Sequence, residues 1–541
     1  MRDPSAPRGR RALLRGLALA LLAIVAPGTA TGAVAAEPAA PTVTVFDGGA
    51  LPPDAFALPD GALAGVAYGY GGDGSSFVEA TRIEADGTVR RTVVPPLPGR
   101  RGALWLTGAV RPLTDGTVGV VARQAVARRS GDLLVVGVEL LRLDGAGAVV
   151  ARTALPASAR GANGFALEAD GTVWWARACR DRLYRRTSEG TVAAIRLPRH
   201  GCRGGRGLGG PERATALAVG ADGAVWMVNL CRRRIVRLGA DGRLRQWTPD
   251  RGRCVVRAGW DEYVDAPLLT VDPRGGIAYY LDVRDFGRPN ADAEGGRVLP
   301  DGTLLTHAPT GFPGFIAADG SAWLHGARVG PGGRRAQELT LPGGRTVLDV
   351  EPARGGAWLI GGRGTFHDEY KSSSWSYDEM AVALLGADGT RADWPLTALL
   401  GAEAADKQLG EATLGADGAL WLTLWGGGAD GARLLRVVPP TPAPPTTPDA
   451  VPSGGIARAG RLLTLPLACR ADPGRWCSGS VTLSTGAAPV RFLVAGQQRA
   501  GIRLTLDGNA ARTLRDGGVV EATATVASDG AGTVRPRITV R

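Results

Sequence analysis

Only four histidines occur in the chain, His200, His307, His325 and His367, so general acid–base chemistry has few places to reside. His367 stands in Phe366-His367-Asp368-Glu369-Tyr370, followed by Lys371, Trp375, Tyr377, Asp378 and Glu379. An imidazole, carboxylates and aromatic rings in one stretch suit two tasks: holding a divalent cation, or gripping a sugar. A second cluster is Trp260, Asp261, Glu262 and Tyr263 with Asp265, and a third is Asp282, Arg284 and Asp285. The acid–base candidates are therefore His367, Glu369, Asp261 and Glu262. The ligand-binding candidates are Trp260, Tyr263, Asp282, Arg284, Asp285, His367, Asp368, Tyr370 and Trp375. No residue is assigned as a metal ligand; magnesium or calcium is the cofactor these carboxylates would suit. His200, His307 and His325 have no acidic neighbour in sequence and read as loop or surface residues.

Six cysteines in a chain that carries an export signal read as three disulfides. The expected pairs are Cys179–Cys202, Cys231–Cys254 and Cys469–Cys477, since the first two pairs lie at equal spacing within consecutive repeats. The motifs G-x-S-x-G, H-E-x-x-H and G-x-x-x-x-G-K are absent. Gly69-x-Gly71-x-x-Gly74 and Gly205-x-Gly207-x-x-Gly210 match a dinucleotide pattern literally. Neither precedes a helix, and 81 glycines make chance matches expected.

The elements that must carry these residues are short strands. Asp-Gly recurs between apolar runs, among others at 60–61, 86–87, 115–116, 170–171, 222–223, 241–242, 301–302, 319–320 and 417–418. Asp-Gly in that setting is a hairpin signal, and a type I′ turn is the expected geometry. Two copies align without a gap at an offset of 52: Asp170 meets Asp222, Trp174 meets Trp226 and Arg185 meets Arg237. A fixed period with four strands per unit predicts a β-propeller. The units are 57–98, 103–156, 161–198, 213–249, 266–309, 314–342, 346–396 and 408–437, which makes eight blades; the short unit at 314–342 leaves seven open. The last unit has three strands, and Pro41–Phe46 is the natural fourth, closing a propeller over 41–437. In each unit the Asp-Gly turns join strands one to two and three to four. They crowd one face, and the three polar clusters fall on the other, in long loops.

A Pro/Thr-rich linker, 438–455, precedes a second domain, 456–541, whose six or seven short strands suggest an immunoglobulin-like β-sandwich. Residues 1–35 have the three parts of a signal peptide: five arginines against one aspartate, an apolar run from Gly16 to Ala26, and Ala33-Val34-Ala35 for cleavage. Arg10-Arg11 leaves the Sec and twin-arginine routes both open. Nothing after residue 35 is apolar and long enough to span a bilayer, so the expected location is secreted or at the cell envelope. The formal charge is +12, carried almost wholly by arginine and spread along the chain, without the aromatic-interleaved basic stretches of a nucleic-acid binder. The expected mature protein is a monomer.

Gly220-Ala-Asp-Gly-Ala-Val-Trp-Met-Val-Asn229 and the stretch from Arg233 to Leu244 resemble the repeats of the virginiamycin B (streptogramin) lyase family and, more distantly, NHL repeats. The resemblance covers roughly 100–437 and implies the propeller fold. In that family two histidines near the starts of inner strands, with a glutamate and a magnesium ion, open a lactone by elimination. The matching positions, eleven residues before a second-strand tryptophan, are here Asn163, Thr215, Phe312 and Gly410. None is histidine, which argues against streptogramin cleavage. The expected function is a secreted binding or scaffold protein with its ligand, a glycan or cell-wall component, on the long-loop face. The alternative is an extracellular metal-assisted lyase or hydrolase with a divergent active site.

Overall fold

The computed structural model describes residues 40–541 except 53–54, 71–75, 97–102, 128–132, 163, 178–180, 198–214, 230–233, 249–261, 265–267, 282, 286–293, 308–312, 318, 334, 354–355, 370–371, 387–388, 405–406, 427–430, 440–449, 454–455, 460, 472–475, 487, 529–532 and 541. The expected signal peptide and the pairs Cys179–Cys202 and Cys231–Cys254 lie outside the described residues. Among the described residues no helix is long and apolar enough to cross a membrane.

Among the described residues, eight four-stranded antiparallel sheets follow one another along the chain, each ordered 1-2-3-4 from the axis outward except the last. First strands of successive blades meet around the axis. Blade 4 is representative: Thr215–Val219, Val225–Asn229, Arg234–Leu238 and Leu244–Trp247. Blade 6, the short unit, is complete because a two-residue turn at His325-Gly326 joins Ala322–Leu324 to Ala327–Val329; Gly326 takes the left-handed φ of 87° it needs. Blade 8 takes its outer strand from the N-terminus: Thr42–Phe46 pairs antiparallel with Arg433–Val438, Thr42 opposite Val438.

Packing explains the ring. Apolar residues alternate on both faces of each sheet, so every gap between blades is filled by a separate core. Blades 4 and 5 share Trp226, Val228, Ile277 and Tyr279, and blades 8 and 1 share Trp421, Leu434, Leu63 and Ile83. Tryptophans 226, 323, 358 and 421 of the second strands are 0–1% exposed and each faces the next blade. Burying such a side chain contributes roughly 2–3 kcal/mol, so the ring is held by many comparable joints.

The Asp-Gly turns differ from the expected type I′. Gly61 N–H bonds to Leu58 C=O (3.1 Å) and Leu58 N–H to Ala62 C=O (2.7 Å). Only the glycine is left-handed, at 90° for Gly61 and 74° for Gly223, and the aspartates are not. This is a type I turn closed by a glycine bulge. The aspartate is there for its carboxylate, which accepts the N–H two residues on: Asp60 from Ala62, Asp170 from Thr172, Asp222 from Ala224.

The C-terminal domain encloses one core between two sheets, with Leu463, Leu465 and Ile502 from one and Val481, Val494 and Val526 from the other. It begins earlier than the sequence reading placed it. Ala450–Pro452 pairs with Leu462–Cys469 at a sheet edge, where a proline costs no ladder bond. A helix the strand reading missed, Gly508–Arg515, is capped by the Asp507 carboxylate, which accepts Ala510 N–H (2.7 Å). Cys469 and Cys477, both fully buried, form the expected disulfide.

Candidate functional site

The two faces of the ring have opposite roles. On the Asp-Gly face the carboxylates are committed to structure. An arginine on the third strand reaches across the blade to the turn aspartate, as Arg237 does to Asp222 (2.7 Å) and Arg82 to Asp60 (2.6 Å). On its way Arg237 lies over the Trp226 ring at 5.7 Å, and Arg185 over Trp174 at 5.3 Å. Burial opposes ionisation of Asp60, but Arg82 and the Ala62 N–H outweigh it and hold the carboxyl below its ordinary value.

The C-terminal domain docks on this face, across blades 3 to 6. Ala169 of blade 3 belongs to the C-terminal core. Arg503 pairs with Glu189 of blade 3 at 2.5 Å, and Gln497 Nε2 donates to Ile316 C=O of blade 6 at 2.7 Å. Arg499 lays its guanidinium over Gly223 of blade 4, where a Cβ would meet Nη1 at 1.4 Å. Below it Glu168 is 6% exposed and accepts Trp174 Nε1–H at 2.7 Å. Burial, with the neighbouring Asp170, pushes the Glu168 carboxyl up against the pull of Arg499, Trp174 and Arg185. Burial likewise lowers Arg111 to about 10, opposed by Glu168. A cavity of about 510 Å³ remains between the domains, walled by Asp222, Pro273, Arg274, Pro452, Ser453 and Arg470.

The opposite face holds the longer connections. Glu262–Val264 and Val283–Asp285 pair as a two-stranded ribbon, with Glu262 opposite Asp285 and Tyr263 opposite Arg284. The second and third polar clusters thus share one backbone element. Trp260, Asp261, Asp282 and Tyr370 lie outside the described residues. The His367 cluster, read as a loop, is a β-arm: Gly356–Glu369 and Ser372–Gly386 continue past blade 7 as a hairpin. His367 stands opposite Ser374, Asp368 opposite Ser373, Glu369 opposite Ser372 and Trp375 opposite Phe366. The seven pairs from Arg363 outward project it by about 20 Å. At its base Arg345 donates to the Glu379 carbonyl (2.5 Å) and faces its carboxylate at 3.3 Å. The ribbon belongs to blade 5 and the arm to blade 7. Among the described residues no three histidine, cysteine, aspartate or glutamate side chains gather as a metal site.

Two features escaped the sequence reading. His325 has an acidic partner after all: its Nε2 lies 3.5 Å from Asp349 Oδ1 of the next blade. Burial, then Asp349, push the nearby Glu351 carboxyl well above its ordinary value. At 3.5 Å the pair is outside hydrogen-bond reach, and it reads as a joint between blades 6 and 7. The second feature is exposed aromatic surface at the long-loop ends of three consecutive blades: Trp425 (45% exposed) on blade 8, Tyr68 (40%) on blade 1 and Trp105 (38%) on blade 2. Residue type alone marks a strand tryptophan as core, and the sequence signals that could have found these are Gly108 after Trp105 and Gly426 after Trp425. Of the positions matching the lyase histidines, Thr215 is 3% exposed, Gly410 lies under the Trp425 indole, and Asn163 and Phe312 are outside the described residues.

No family model matches the sequence, and no curated protein matches it. Solved structures do. A streptogramin B lyase structure is 14% identical with a TM-score of 0.33, covering 73% of this chain and 98% of that one. A virginiamycin B lyase from Staphylococcus aureus is 15% identical with a TM-score of 0.31, covering 62% of this chain and 98% of its own. A structure of YCF48 bound to D1 peptide is 14% identical with a TM-score of 0.32, covering 65% and 100% respectively. The β-propeller itself stands on the strand order and closure described above.

Proposed function

We propose that the chain is an exported binding protein whose ligand docks on the long-loop face of the propeller. The observation that carries this reading is the seating of the C-terminal domain. It occupies the Asp-Gly face from Ala169 in blade 3 to Ile316 in blade 6, so half of that face is already an interface. The opposite face carries the ribbon at 262–264 and 283–285, the arm at 363–378 and the exposed rings. Long connections on a rigid ring leave room for ligand-specific side chains, whereas tight turns do not. The start of the chain, with its arginines, apolar run and small-residue cleavage site, supports export to the cell exterior or envelope. Lactone elimination is not favoured, because the four family positions hold no histidine.

The test is hydroxyl-radical footprinting of the purified mature protein with and without a binder selected from envelope polysaccharide and peptide arrays. Protection is expected on the long-loop face. Protection confined to the exposed turns at Asp241 and Asp301 would overturn the reading.

A further inference from the structure

We propose that the mouth over blades 8, 1 and 2 is a carbohydrate platform on which a neutral glycan stacks against Trp425 and the Tyr68–Trp105 pair. This rests on the long-loop reading above and names the ligand's chemistry.

The rings are exposed yet fixed. Tyr68 Oη donates to the Leu106 carbonyl (3.2 Å) and accepts the Leu106 N–H (2.5 Å), so both polar capacities of the phenol are used to pin the ring. Trp105 meets it edge-on, centroids 5.9 Å apart at 61°. Trp425 lies so close over Gly410 that a Cβ there would come within 2.3 Å of its Nε1. Fixed rings lose little freedom on binding, which is the condition for an efficient stacking surface. Exposed aromatic surface of this kind has no packing rationale in a ring where Trp174, Trp175, Trp226, Trp323, Trp358 and Trp421 are all buried.

Beside each exposed tryptophan the inner strand bulges. In blade 2, Leu106 pairs with Ala122 and Val110 with Val120, so Thr107, Gly108 and Ala109 face Val121 alone. Gly108 takes a φ of 76° with open space around it. In blade 8, Leu409 pairs with Leu424 and Ala412 with Leu422, leaving Gly410 and Glu411 opposite Thr423. Bulges interrupt the ladder and turn backbone N–H and C=O groups outward. Rings for the C–H faces of a sugar, beside mixed donors and acceptors for its hydroxyls, are what a saccharide requires. The interrupted edge disfavours a peptide added as an extra strand. Among the described residues, Arg123 donates to Ala162 C=O (2.8 Å) and lies over Phe165, and Lys407 has a partner.

The experiment titrates mature protein with cello-, malto-, manno- and chitohexaose, a proline-rich peptide and hyaluronan, following tryptophan fluorescence and calorimetric heat. At least one neutral hexasaccharide is expected to bind. Trp105→Ala and Trp425→Ala should each weaken it about tenfold with unchanged melting temperature, and Trp105→Tyr should retain most of the affinity. Should no neutral hexasaccharide bind, or should the peptide or hyaluronan alone bind through these rings, the glycan assignment falls while the long-loop reading stands. Saccharide binding that ignores both tryptophans but is lost on changing the arm at 363–378 would overturn the platform alone. Saccharide binding lost only with exposed Asp-Gly-face residues would overturn both.

Discussion

Gly223→Ala and Gly242→Ala form a matched pair that isolates the docking of the C-terminal domain. Both glycines close the same kind of turn with nearly equal left-handed φ, 74° and 78°. An alanine in that conformation costs about 1 kcal/mol net, after allowing for the smaller entropy of its unfolded chain. Around Gly242 a Cβ meets nothing within 4 Å, so that cost is the whole effect. Over Gly223 the same Cβ would land on the Arg499 guanidinium. The tip of a long side chain can swing away, so the propeller itself should lose no more than its partner variant. Arg499 then moves away from Glu168, and a coulombic attraction worth about 1 kcal/mol to docking is lost. Urea unfolding of the propeller should therefore shift equally in the two variants. Hydrogen exchange at 497–503 should quicken about tenfold in Gly223→Ala and not in Gly242→Ala. Arg499→Ala should reproduce the faster exchange without the loss in the propeller. Equal exchange in both glycine variants would refute the docking geometry.

Trp226→Ala should cost roughly 3–5 kcal/mol by equilibrium unfolding, since the ring is fully buried, stacks on Trp247 at 5.5 Å and fills the core between blades 4 and 5. Replacing Cys469 and Cys477 together by serine should cost the C-terminal domain about 2–3 kcal/mol, read as a lower denaturation midpoint for that domain, because the bridge closes a short loop. Glu168→Gln keeps an acceptor for Trp174 and removes a charge the site disfavours. With the folded pKa raised, the wild-type residue's contribution is complete below the ordinary glutamate range and is lost as pH rises through the folded value. The melting temperature of the Gln variant relative to wild type should thus climb as pH rises above the ordinary glutamate range, and a flat difference would contradict the burial of that carboxylate.

The propeller was legible because its determinants are local and repeated. Asp-Gly, Trp and Arg recur at fixed spacing, and each reports a turn, an inter-blade joint and a brace across the blade. The turn type was misread because Asp-Gly serves two geometries, and the choice depends on whether the aspartate's carboxylate or its backbone conformation is used. Contacts between distant segments left no trace in spacing. Arg499 reaches Gly223, Gln497 reaches Ile316 and His325 meets Asp349 only after the ring and the second domain exist. The grouping of Glu262 and Tyr263 with Arg284 and Asp285 was foreseen as a common face, and the ribbon adds their direct pairing. The exposed tryptophans were missed because their exposure follows from inner-strand bulges, which depend on register across strands and not on residue type alone.

The pairing of Thr42–Phe46 with Arg433–Val438 makes the first described strand of the chain the partner of one of the propeller's last strands. Contacts of such long sequence separation form late, so the unclosed ring must wait for almost the whole propeller to be made. Until then blade 8 presents a bare edge formed by Arg433–Val438, and the waiting strand follows the proposed export signal in sequence. On the proposed export reading, any factor that holds the leader also holds the closing strand away from its edge and couples ring closure in time to release of the leader. Phe46 then stacks on Trp421 at 5.5 Å and latches the two ends of the ring. An expected cleavage after Ala35 falls short of Thr42, so maturation frees the strand without trimming it.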